Sequence, residues 1–163
     1  MTTMKTTFTF FLLLFGSVAF AQTDFSSIPV KTTEDCKKAE PQVIEAANLI
    51  LSKALDDASV KDAETFIVIW MTNCEYSFLV DDKISKMEKG NKNLLFVYMA
   101  CQSKFLLEHV DKAKDQNAIA LGAYSLLCDF VSNAANHVEM NKYVKKMVDA
   151  NKAGKLQEWL NEK

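Results

Sequence analysis

The sequence predicts an all-α fold, a single domain of five to six antiparallel helices stacked as helix hairpins or an orthogonal bundle. Apolar residues recur at i, i+3, i+4 and i+7 in segment after segment, the spacing of one helix face. Asp, Asn, Ser and Gly punctuate those segments where helices start and stop. Gly 4 and Pro 2 in 163 residues leave too few breakers for a turn-dense β architecture. A length of 163 residues fits one domain, and 49% hydrophobic with 25% charged residues fits a packed core.

The first segment reads as an export signal. Lys5 is the only charge before Gln22, and the apolar run Phe8 to Phe15 follows it. Ala19 and Ala21 then supply the small side chains that signal peptidase needs at −3 and −1, which predicts cleavage between Ala21 and Gln22. The competing reading, a membrane anchor, needs roughly 20 apolar residues, and this run is shorter. Cysteine does not follow the cleavage site, so a lipid anchor there is not expected. Residues 1–21 are thus a signal peptide, 22–32 a polar, flexible leader with Pro29, and 33–163 the helical domain. The destination is the periplasm or the cell exterior.

Within the domain, Thr33 to Ala39 forms a short turn carrying Cys36. Val43, Ala47, Ile50, Leu51, Ala54 and Leu55 make the stripe of a first long helix, with Pro41 in its first turn. Ser59-Val60-Lys61-Asp62 resembles a capping box opening a second helix, with Ala63, Ile67, Trp70, Cys74 and Phe78 on one face. Phe66 to Trp70 fits a buried strand equally well by pattern, and the cap with its helical neighbours selects helix. Asp81 or Asp82 caps a short helix ending at Gly90. Asn91 or Asn93 opens a fourth, to about Val110, and Asp115 a fifth, to about Ala135. Asn136-His137-Val138-Glu139 reads as another capping box, leading a last helix with Tyr143, Val144 and Met147 inward and Gly154 at its end. A final turn carries Leu156, Trp159 and Leu160. The fourth and fifth helices are apolar nearly all round, so they are expected at the centre with the second, covered by the first and last. Ala118, Ala120, Gly122 and Ala123 would allow close backbone approach to the fifth helix.

Three segments, Glu40 to Leu51, Phe66 to Phe78 and Leu94 to Glu108, resemble a family of uncharacterised exported helical proteins from Gram-negative bacteria. The resemblance implies an all-α fold and export to the cell envelope. It implies no activity, cofactor or catalytic residue.

Cys36, Cys74, Cys101 and Cys128 all follow the signal. An even count in an oxidising compartment makes disulfides plausible. Partners in a helix hairpin lie equally far from its tip. Cys101 and Cys128 flank the turn at Asp111 to Asp115 symmetrically, and Cys36 and Cys74 flank the turn at Asp56 to Ser59. The expected pairs are therefore Cys101–Cys128 first and Cys36–Cys74 second, against the alternative of four buried thiols. There is no C-x-x-C, and the wide cysteine spacing does not fit a zinc site built from four thiolates.

Chemistry-bearing motifs are otherwise scarce. All 19 basic residues are Lys, and the formal net charge is −2. Without Arg there is no bidentate phosphate clamp, and without a basic excess no nucleic-acid face is expected. P-loop, G-x-G-x-x-G, H-E-x-x-H and G-x-S-x-G motifs are missing, so no catalytic residue, cofactor or metal ligand is expected. His109 near Glu108 and Asp111, and His137 near Glu139, fit metal or proton-transfer roles, but helix-end positions explain them more simply. Cys101 and His109 sit two helical turns apart, which argues against a Cys–His nucleophile. The lysines Lys142, Lys145, Lys146, Lys152 and Lys155 alternate with acids, as on a solvated face rather than a membrane-binding one. No second segment is apolar enough to span a membrane. The expected function is a non-catalytic binding or scaffolding module. The alternative is a small-ligand carrier or enzyme with a pocket between helices, lined by Tyr98, Tyr124, Met99 and Trp70.

Overall fold

The computed structural model describes residues 23–162, so the expected signal peptide and its cleavage site at Ala19, Ala21 and Gln22 lie outside the described residues. The described chain is all-α. Eight α-helices occur among the described residues: α1 (Thr33–Lys38), α2 (Glu40–Leu51), α3 (Lys61–Asn73), α4 (Asp82–Met87), α5 (Leu94–Glu108), α6 (Gln116–Ser132), α7 (Lys142–Lys152) and α8 (Leu156–Asn161). Five are long and three are six-residue pieces, of which α1 and α8 stand where short turns were expected. No described helix is long and apolar enough to cross a membrane.

The hub is α5. Helices α2 and α6 make the most extensive contacts with it, and α3 packs on both α2 and α5. Helices α7 and α8 lie on α6, and α4 bridges α5 and α7. Thus α2, expected as a cover, is as central as α3. The reason is its composition: Val43, Ala46, Ala47 and Ile50 are fully buried, and the small alanines admit α5 closely.

Short polar side chains cap four of the eight described α-helices. Thr32 and Asp35 form a reciprocal capping box at α1. Asp81, Asp115 and Asn141 each accept two backbone N–H bonds at the starts of α4, α6 and α7. Gly90 and Gly154 take positive φ, 87° and 68°, where the chain leaves helical geometry.

Two expected capping boxes are not formed. Ser59 does not cap α3; Asp57 accepts from the Ser59 N–H at 2.9 Å and organises a 3-10 turn over Ala58–Val60, which feeds α3 directly. Asn136 does not cap α7 either, because it is buried and its amide donates to the Phe130 carbonyl at 2.8 Å. His137 then turns the chain through left-handed geometry, and Asn141 caps the helix.

Three boundaries also move. Helix α3 stops at Asn73, because Cys74 adopts extended backbone, ψ 170°. Residues 76–81 are not helical and are tethered by side-chain amides: Gln102 donates to the Leu79 carbonyl and Gln116 to that of Ser77. Phe78 still reaches Trp70, at 5.8 Å between ring centroids, through this segment rather than along a helix face. Helix α5 ends at Glu108 and α6 at Ser132, each before a 3-10 turn. Finally, the segment expected as a flexible leader packs on the domain at two points. Phe25 and Val30 are buried, and the Phe25 ring stacks on Phe66 at 5.5 Å.

Candidate functional site

The aromatic residues expected to line a pocket instead fill the core. Trp70, Tyr98 and Tyr124 are at most 1% exposed, and Met99 packs half-buried against the same core. The Trp70 indole N–H donates to the Cys36 carbonyl at 3.0 Å. Tyr124 donates to Asp81 at 2.6 Å, and its ring meets Tyr98 at 4.7 Å and Trp159 edge-on at 5.3 Å. Burial holds both phenols well above the usual tyrosine range, and Asp81 adds to this. A neutral, sealed pair of tyrosines that fastens the start of α4 to α6 is structural.

The cysteines are thiols. Cys36, Cys101 and Cys128 are buried, Cys74 is half-buried, and none is bonded to another. The expected Cys101–Cys128 and Cys36–Cys74 bridges are therefore not present. Symmetric distance from a turn sets only height along a hairpin, while rotation decides whether two sulfurs meet. Here the Cys36 thiol points to the Val30 carbonyl and the Cys128 thiol to that of Met147. Burial raises the Cys101 thiol far above its normal range and pushes Cys128 to about 12. Neither is a thiolate nucleophile at neutral pH.

The histidines part company. His137 is exposed and pairs with Asp56 at 3.5 Å, not with Glu139, whose carboxylate lies over Gly90. His109 is half-buried at the end of α5, its ring stacked on Phe105 at 4.3 Å. Its Nδ1 donates to the Phe105 carbonyl at 2.9 Å. No group of three or more His, Cys, Asp or Glu suited to a metal ion occurs among the described residues.

The stacked Phe105–His109 pair is one wall of a solvent-open groove of about 650 Å³. Ala118, Leu121, Gly122, Ser125 and Leu126 of α6 make its floor, and Asn151, Gly154, Leu156 and Gln157 close it from the α7–α8 turn. Glu108 and Lys112 stand at its rim. Gly122 sets its depth: a Cβ there would lie 2.1 Å from the Phe105 ring, so only glycine lets that ring lie against α6. At Gly122 it is the Phe105 ring that comes close, rather than the backbone expected there. Periodicity could not reveal the groove, because it joins the α5–α6 hairpin to the α7–α8 turn, which no local pattern connects.

The chain matches no family model, no curated protein and no solved structure.

Proposed function

We propose that the mature chain is an exported, non-catalytic binding module whose docking site is the groove between the end of α5, the outer face of α6 and the α7–α8 turn. The observation that carries this reading is the groove itself. It has an apolar floor, polar groups confined largely to its edges and a volume within the range of ligand sites, about 300–1,000 Å³. Catalysis finds no support in it. Its titratable residues, Glu108, His109 and Lys112, include no acid–base pair in contact: Glu108 is engaged by Lys104 at 2.6 Å and His109 by a backbone carbonyl. Export rests on the pattern of residues 1–21 and on the resemblance to exported helical proteins, and periplasm and exterior fit it equally.

A neutral solvatochromic dye tests the docking reading. Its emission should rise and shift to the blue with the native mature chain. Ser125→Trp, at an exposed floor position, should abolish the effect without changing the far-UV circular dichroism. Equal dye binding by both proteins would contradict the reading. For export, the intact mass of protein made in its native host should correspond to a chain starting at Gln22, and an exported chain retaining residues 1–21 would contradict processing.

A further inference from the structure

We infer that the groove accepts a small amphiphile with an apolar body and a single carboxylate. The inference rests on the docking reading above and adds the chemistry of the occupant.

The apolar body follows from the floor. Leu121, Leu126 and Leu156 line it, each partly or fully buried, and the Phe105–His109 stack offers a flat wall. The leucine side chains and the Phe105 ring give no hydrogen-bonding partner, and burying polar groups against them would leave those groups unsatisfied.

The carboxylate follows from charge at the rim. Glu108 and Lys112 are the charged lining residues. Glu108 is compensated, because Lys104 holds it at 2.6 Å and is itself fixed by Asn48 at 2.8 Å. Lys112 is exposed, in the 3-10 turn after α5, and among the described residues no ion pair holds it. Asp111 beside it in sequence does not line the groove. The uncompensated rim charge is therefore positive, at the end of an apolar trough. A single anionic head on an apolar chain matches both features. A cationic head would meet Lys112, and a polyanion would meet Glu108 as well. A volume of about 650 Å³ suits a small molecule rather than a second folded domain.

Calorimetric titration of the mature chain with decanoate and with 1-decanol, at low ionic strength, tests the inference. An exposed ion pair contributes a few-fold in affinity. Lys112→Gln should therefore weaken decanoate binding about 2- to 5-fold and leave decanol binding unchanged, while Ser125→Trp should abolish both. If Lys112→Gln changes neither probe and Ser125→Trp abolishes both, the anionic head is wrong and the docking reading stands. If neither probe binds, and sedimentation shows a dimer that Ser125→Trp dissociates, the occupant is a second copy of the chain and the inference is overturned. If neither probe binds and the chain is monomeric, the inference and the docking reading both fail.

Discussion

Trp70 shows how one side chain organises the N-terminal half. Its ring is fully buried, its N–H is satisfied by the Cys36 carbonyl, and Tyr76 and Phe78 pack on it at 5.9 and 5.8 Å. Trp70→Ala should cost about 3–5 kcal/mol, read as a lowered urea midpoint, because the cavity cannot close around α1 and α3. That Trp70 is core was legible from its place on the apolar stripe of α3. The state of the cysteines was not, because parity and compartment say nothing about rotation about a helix axis. Denaturing the protein without reductant in the presence of iodoacetamide should add four alkyl groups, and two or none would mean that bridges form. The buried tyrosines make a pH prediction. In the folded chain Tyr98 and Tyr124 stay neutral beyond the usual tyrosine range, whereas in the unfolded chain they ionise near pH 10. Their contribution to stability is complete below about pH 10 and is lost as pH rises from there toward the folded values. Urea midpoints should therefore fall above about pH 10, with a shallower fall in Tyr124→Phe.

Among elements, caps decided where the sequence could be read. Asp115 was legible as a helix start, and Asp81 as one of two adjacent candidates with Asp82, because a short acid favours the N-cap; Asp81 and Asp115 are the caps. Ser59 and Asn136 misled because their competitors, Asp57 and Asn141, sit two and five residues away and satisfy the same N–H groups or supply a different start. Asn91 was ambiguous for a related reason. It opens no helix. It is buried, its amide donates to the Met87 and Glu139 carbonyls, and its carbonyl oxygen accepts the Glu139 N–H at 2.7 Å. This fastening joins the turn after α4 to the segment before α7, two stretches that no local pattern connects. Asn91→Ala would leave buried backbone groups unpaired and should cost about 1–3 kcal/mol in chemical denaturation. A midpoint equal to that of the parent protein would mean that water replaces the amide.

For the whole molecule, the all-α class follows from periodicity, and the central place of α5 and α6 follows from their being apolar nearly all round, while that of α2 does not. Nor does the groove. It exists because α6 carries Gly122 where α5 carries Phe105, and because the α7–α8 turn stops short of covering the exposed edge of α6. These are relations between elements, and a single sequence does not display them. The central claim is that this groove is where the molecule binds. Backbone amide chemical shifts of the mature, isotope-labelled chain, followed during titration with 1-decanol, test it most directly. Saturable shifts should concentrate at Leu121, Gly122, Leu126, Gly154 and Leu156, with Tyr98, Trp70 and the α2–α3 side unmoved. Shifts scattered over the surface, or centred on another face, would contradict the claim.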